Sequence, residues 1–271
     1  MIRTFAHFVF LSVALCAQMT FASGLVIGTW NSTRAGIANI PTGEFSTQAV
    51  ASLETNFPGM SFKTTTTLTP QFFQGVNMLF IDTAQTDSVP ITPLSSSEQS
   101  ALLNFVKGGG SAFLLTEGYA PFVQASQSVL APFGITIADD NLDGLMAGNP
   151  VNEPNPIFDG PYGSTASILL YGAGDYPNLG PHATSLADNA INGLPVMAVI
   201  PPHALSPTSG AVVMVADSTS FIDVAAGGAF TEFEPLFLNT VTYLTTPEPG
   251  SLALALLGGA VLVGVAGRRR R

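Results

Sequence analysis

Three carboxylates stand at the ends of apolar runs in this chain. Asp82 closes Val76 to Ile81, Glu117 follows Ala112 to Thr116, and Asp217 closes Gly210 to Ala216. If each run is a strand of one open α/β sheet, all three acids reach the edge where such sheets bind ligands, beside Trp30-Asn31 after Gly24 to Thr29. Two carboxyls brought close there raise one pKa and make a general acid and base pair; a bound cation is the other relief of the repulsion. Glycoside hydrolysis would need two of them about 5 to 9.5 Å apart across a cleft. The plainer reading makes each acid a cap on a turn or helix near water.

Other chemistries have less material. Cys16 is the single cysteine and lies in an N-terminal apolar run, so a processed chain has no thiolate nucleophile, disulfide or cysteine metal ligand. No Gly-x-Ser-x-Gly elbow offers a serine instead. His182 and His203 each follow a proline, in Pro181-His182-Ala183-Thr184 and Pro202-His203-Ala204-Leu205, which reads as exposed loop imidazole rather than base or zinc ligand. Asp139-Asp140-Asn141-Leu142-Asp143-Gly144 fits the first half of a calcium loop, with Asp139, Asn141 and Asp143 as oxygen donors. Pro150 occupies the twelfth position, where a bidentate glutamate belongs, and Glu153 comes three residues late, so the segment fails as an EF-hand and keeps only the reading of a looser calcium-stabilised loop. No other cofactor is expected.

These side chains must be placed by an alternation of strand and helix signals from residue 24 onward, the pattern of a mostly parallel sheet with helices on both faces. Gly24 to Thr29 reads as a buried strand, Ser46 to Asn56 as a helix with Ala49, Val50 and Leu53 on one face, Phe62 to Leu68 as a threonine-rich strand, and Val76 to Ile81 as a strand buried on both faces. From Leu94 to Gly118, Ser95 and Glu98 form a capping box, Leu102, Leu103 and Val106 an apolar stripe, and Gly108 a left-handed cap before the strand Ala112 to Thr116. Gly210 to Ala216 is a further strand, and Glu234 to Leu244, with Phe237-Leu238-Asn239, a closing helix. Between Asp139 and Leu194 the breakers Asn149-Pro150, Glu153-Pro154 and Asn155-Pro156 predict long loops, with a small hairpin on Ser167 to Tyr171.

A capped helix, a glycine run and a strand ending in a polar turn resemble the middle of class I glutamine-amidotransferase-like domains. The resemblance is one of pattern over roughly residues 24 to 246, and it implies a flavodoxin-like sheet. A catalytic member needs a cysteine in the sharp turn after the strand; this chain has Thr116-Glu117-Gly118 there, so the resemblance implies the fold without the thiol chemistry.

The two ends read as addresses. Arg3, the uncharged run Phe8 to Ala17 and the small exit Thr20-Phe21-Ala22 form a secretory signal peptide over 1–22, leaving an exported domain over 23–246. The tail 247–271 runs Pro247-Glu248-Pro249, then Gly250 to Gly267 without a charge, then Arg268, Arg269, Arg270 and Arg271. Eighteen helical residues reach about 27 Å, enough for a transmembrane helix, and the arginines hold its end in the cytoplasm. This order resembles the PEP-CTERM sorting signal of Gram-negative bacteria that make extracellular polysaccharide. It implies that an exosortase recognises Pro247, Glu248 and Pro249, removes the tail, and sends the protein from the inner membrane to the cell surface or extracellular matrix.

The whole chain of 271 residues has a formal charge of −10. Between Ser23 and Thr246 there are 17 acids against Arg34, Lys63 and Lys107, a net of −14, which excludes binding to nucleic acid by phosphate neutralisation. Two function classes remain. One is a non-catalytic exported domain that binds or joins the exopolysaccharide matrix. The other is a carboxylate-dependent hydrolase of surface glycan, acting through two of Asp82, Glu117 and Asp217.

Overall fold

The computed structural model describes residues 24–83, 91–138, 142–151, 154–223 and 227–246. Residues 1–22, expected to be a signal peptide, the Pro247-Glu248-Pro249 segment, the expected tail helix over 250–267 and Arg268 to Arg271 lie outside the described residues, as do Asp139 and Asn141. Among the described residues no helix is long and apolar enough to cross a membrane.

The chain alternates as expected through its first half: β1 (Val26–Trp30), α1 (Ser32–Ala35), α2 (Thr47–Asn56), β2 (Ser61–Thr65), β3 (Met78–Asp82), α3 (Ser96–Lys107), β4 (Ser111–Leu115) and α4 (Val123–Leu130). Then come β5 (Leu142–Pro150), the two-residue strands β6 (Asp159–Gly160) and β7 (Gly163–Ser164), β8 (Ile168–Ala173), β9 (Thr184–Asn189), β10 (Pro195–Ile200), β11 (Val212–Val215) and α5 (Phe230–Thr245). Nine strands form one sheet in the order β2-β1-β3-β4-β11-β10-β9-β5-β8. The first five are parallel, with the flavodoxin-like order the resemblance implied. The other four pair antiparallel. The sheet is therefore mixed rather than mostly parallel, and the region expected to be long loops supplies its antiparallel half. Residues 168–173 do not fold back on themselves as a hairpin; β8 pairs with β5, which is distant in sequence.

Helix α2 carries the chain outward from β1 to β2, and α3 carries it from β3 to β4 in the opposite direction. Right-handed crossovers then place the two helices on opposite faces. The capping box of α3 is complete: Ser95 Oγ accepts from the Glu98 N–H, and the Glu98 carboxylate accepts from the Ser95 N–H at 3.0 Å. The left-handed residue that ends α3 is Gly109, at φ 105°, not Gly108, at −84°. Helix α5 starts a turn before Glu234, because Phe230 and Phe233 bury themselves with Phe237. Phe237 meets Phe80 and Phe113, whose rings stack at 5.0 Å, and Phe221 closes on Phe113 edge-on at 5.3 Å. This aromatic cluster ties α5 to β3 and β4, the strands that carry two of the three acids.

Ser46 makes no side-chain cap for α2; the N–H of Gln48 is instead met at 2.9 Å by Oδ1 of Asp223, which is buried. The helix N-terminus is thus satisfied by an acid 175 residues away. Asp223→Ala is expected to lower stability by about 1 to 2 kcal/mol. The check is the urea midpoint at unchanged slope; an unmoved midpoint would show that water caps the helix equally well.

Candidate functional site

The parallel strands deliver the three acids to one place. Asp82 is the last residue of β3, Glu117 stands two residues after β4, and Asp217 two after β11; their exposures are 4%, 3% and 2%. The acids are not near water, so the plain reading of solvated caps is only half correct. Asp217 does cap: Oδ1 accepts from the N–H and hydroxyl of Thr219, both at 3.1 Å, in the Asx turn after β11. Its other oxygen accepts the Tyr171 N–H at 2.5 Å. Glu117 Oε1 accepts from the N–H and hydroxyl of Ser218, both at 3.4 Å, while Oε2 is buried with no N–H or hydroxyl donor.

Glu117 and Asp217 are also buried carboxyls that perturb each other, an arrangement that favours a proton on one of the two. Glu117 is the one more strongly driven to hold it. Burial, then the charges of Asp217 and Asp82, push its carboxyl well above the usual range. Burial also raises Asp217, but the Tyr171 and Thr219 donors and the Glu117 hydrogen bond pull it back. The same charges reach two phenols. Tyr119 is pushed up to about 12 by burial first and then by Glu117, Asp217 and Asp82. The buried Tyr176, hydrogen-bonded to Thr116 Oγ1 at 2.8 Å, is raised further, again chiefly by burial.

The antiparallel half roofs this cluster. Tyr171 N–H reaches Asp217, the Ser220 hydroxyl accepts from the Leu169 N–H at 2.8 Å and donates to its carbonyl at 2.7 Å, and Gly174 N–H reaches the Ala216 carbonyl at 3.3 Å. The outer edge of β8 is thereby closed by side chains of the β11 turn, a device that hides a free strand edge. Gly118 and Gly174 touch backbone to backbone: a Cβ on Gly118 would lie 2.1 Å from the Gly174 Cα. Only glycine at both positions lets the roof descend onto the turn where an amidotransferase keeps its cysteine.

At the other strand ends, Trp30 finishes β1 and Arg34 lies over its ring, 4.6 Å from the centroid. The guanidinium pairs with Glu98 and donates to the Thr66 and Thr92 carbonyls at 2.9 Å. Burial opposes ionisation of Glu98, but the bonds from Ser95, Arg34 and Leu68 outweigh it and hold the carboxyl below its usual value. Asn31 accepts from the Arg34 N–H at 3.3 Å and caps α1. The end of β1, beside the topological switch between β1 and β3, is therefore filled by the chain's own side chains.

Asp143 lies in β5, in the irregular stretch of its ladder with β8 between Leu142 and Leu145. Among the described residues no group of three or more His, Cys, Asp or Glu side chains is placed to hold a metal ion. His203 sits at φ 63° in its loop, and His182 is exposed. The partners missed from sequence are hydroxyls and phenols. Ser126 of α4 accepts from the Glu117 N–H at 2.8 Å and meets Thr83 Oγ1 at 2.7 Å, tying the ends of β3 and β4 together. Nothing in its helical surroundings marks it. Ser218-Thr219 directly after Asp217 was readable as turn chemistry.

Comparison with known proteins separates the ends from the middle. The PEP-CTERM protein-sorting motif matches residues 245–271. That motif carries export by membrane-anchored sorting to the cell surface and processing by an exosortase. No curated protein matches the chain in sequence. Among solved structures, the mmIFT52 N-terminal domain is similar at TM-score 0.61 and 13% identity, covering 83% of this chain and 98% of that one. A ThuA-like protein from Bacteroides uniformis matches at 0.51 and 12%, over 86% of this chain and 97% of that one. An exo-beta-1,4-mannosidase from Opitutaceae bacterium strain TAV5 matches at 0.51 and 14%, over 90% of this chain but 40% of the enzyme. At such identities the likeness is one of fold alone.

Proposed function

We propose that residues 23–246 form a non-catalytic binding domain for matrix polysaccharide, released at the cell surface when exosortase removes the tail at Pro247, Glu248 and Pro249. The observation that carries the reading is the Glu117–Asp217 pair. Its members are buried carboxyls, at 3% and 2% exposure, under a roof made by the same chain. A glycosidase holds its two carboxyls about 5 to 9.5 Å apart with a sugar between them. Here both carboxyls are closed off from solvent by the roof. The sorting tail supplies the location, and the turn Thr116-Glu117-Gly118 lacks the nucleophile of the catalytic relatives.

Two experiments bear on this. Protein recovered from the surface of an exosortase-bearing host should co-sediment with that host's polysaccharide and release no reducing ends from it. Steady release abolished by Glu117→Gln would make the domain a hydrolase. Separately, replacing Pro247, Glu248 and Pro249 by alanines should leave the uncleaved chain in the inner membrane, seen by blotting cell fractions; unchanged surface release would overturn exosortase processing at this segment.

A further inference from the structure

We propose that the uncovered face of the antiparallel half, around Tyr171, is a docking face for a polysaccharide whose sugars carry free amino groups. This rests on the polysaccharide-binding reading and narrows its ligand class. The register of β8, β5 and β9 puts Leu169 opposite Ala147 and Asn149 opposite Asp188, with Tyr171 two residues from Leu169 on the same face. Ile168 and Leu170 point the other way, into the core. The ladder runs on to Ala190, whose N–H donates to the Ala147 carbonyl at 3.0 Å, and the exposed Ile191 follows in the turn after β9.

Tyr171 is 61% exposed and Ile191 74%, large costs in unburied apolar surface for a domain whose other large side chains are overwhelmingly inside. A free tyrosine ring held by a rigid strand stacks on the C–H face of a sugar and attracts a cation to its π face. The strand is rigid because the Tyr171 N–H is bonded to the buried Asp217.

Charge selects among sugars. The 17 acids and three bases between Ser23 and Thr246 repel a uronate or sulfate polymer. Of those bases, Arg34 is already paired with Glu98. On the face itself Asp188 is half-buried, with a hydroxyl of Ser185 and no cation against it among the described residues. An ammonium group on the sugar supplies that cation. A second copy of the chain would bring the same negative field against itself, which disfavours self-association through this face.

The test titrates the full processed protein with three hexasaccharides, of glucosamine, of N-acetylglucosamine and of mannuronate, by calorimetry at 50 and 300 mM salt. The glucosamine hexamer should bind, at least tenfold more tightly than the other two, and lose affinity with salt. Tyr171→Ala should weaken it tenfold or more and Asp188→Asn severalfold, both with unchanged melting temperature because neither side chain is in the core. Equal binding of the acetylated hexamer, or binding indifferent to Tyr171→Ala, would overturn this ligand class and leave the broader polysaccharide reading in place. Binding to no hexamer and to no matrix polysaccharide would overturn both. A dimer by light scattering that Tyr171→Ala dissolves would make the face a self-interface and end the proposal.

Discussion

Asp217→Ala should lower the stability of the domain at pH 7 by about 3 kcal/mol, read as a drop in the urea midpoint. The carboxylate accepts two backbone N–H groups, from Tyr171 and Thr219, and the Thr219 hydroxyl. The hydroxyl can turn to another acceptor. The two N–H groups cannot, and each buried donor left unpaired costs about 1 to 3 kcal/mol. Part of this returns, because Glu117 loses the charge that Asp217 sets against it. The net remains destabilising, since the Tyr171 bond also closes the edge of β8. Asp217→Asn keeps one acceptor oxygen and should cost about half as much. The loss should be cooperative over the roof, with amide exchange accelerating at Leu169, Tyr171 and Gly174 before it does at β3 or β4. A midpoint unchanged within about 0.5 kcal/mol would mean that the 2.5 Å contact contributes nothing, and would separate the roof from the acid cluster.

The parallel half of the sheet was legible because its signals are local. Met78 to Ile81 and Ala112 to Leu115 are uninterrupted apolar runs, Ser95 and Glu98 are three residues apart, and the strand-end acids mark their own boundaries. What lies between Asp139 and Leu194 was not legible, since pairing there is decided at long range. Strand β5 ends in Gly148-Asn149-Pro150, which reads as a turn. Gly148 is there because a Cβ would lie 2.6 Å from Ile168 Cγ1 and 2.9 Å from Val196 Cγ2, side chains of two other strands. The site divides in the same way. That Asp82, Glu117 and Asp217 share an edge follows from topology. That Glu117 and Asp217 are sealed from solvent does not, because the roof over them depends on the backbone contact of Gly118 with Gly174, glycines 56 positions apart that look like ordinary loop residues. Tyr171 was visible only as the end of a supposed hairpin, and its exposure on an edge strand is a property of the β5 pairing.

Glu117→Gln should stabilise the domain at neutral and alkaline pH while leaving it unchanged near pH 4, and the sign follows from proton linkage. In the folded chain Glu117 keeps its proton to higher pH, because burial and then the charges of Asp217 and Asp82 oppose its ionisation; in the unfolded chain it ionises around 4.5. Between those two values the folded state binds more protons than the unfolded one, so stability falls as pH rises. The contribution is fully present below 4.5 and is lost progressively as pH climbs toward the folded pKa. Within that window each pH unit costs about 1.4 kcal/mol. Glutamine has the shape of the protonated acid, donates to Asp217 through its amide nitrogen, and never ionises, so it retains the contact without that loss. Urea melts from pH 4 to pH 9 should therefore show the wild-type curve declining more steeply than that of Glu117→Gln, with the two meeting at the acid end. Glu98 acts in the opposite sense: its depressed carboxyl stabilises the fold above its unfolded value, and that share is lost as pH falls through the folded one, in both variants equally. In an Asp217→Ala background the glutamine substitution should gain less, because one of the charges that oppose ionisation of Glu117 is gone while its burial and Asp82 remain. Parallel wild-type and Glu117→Gln curves across the range would show that Glu117 is ionised in the folded chain, and would remove the closed carboxyl pair on which the non-catalytic reading rests.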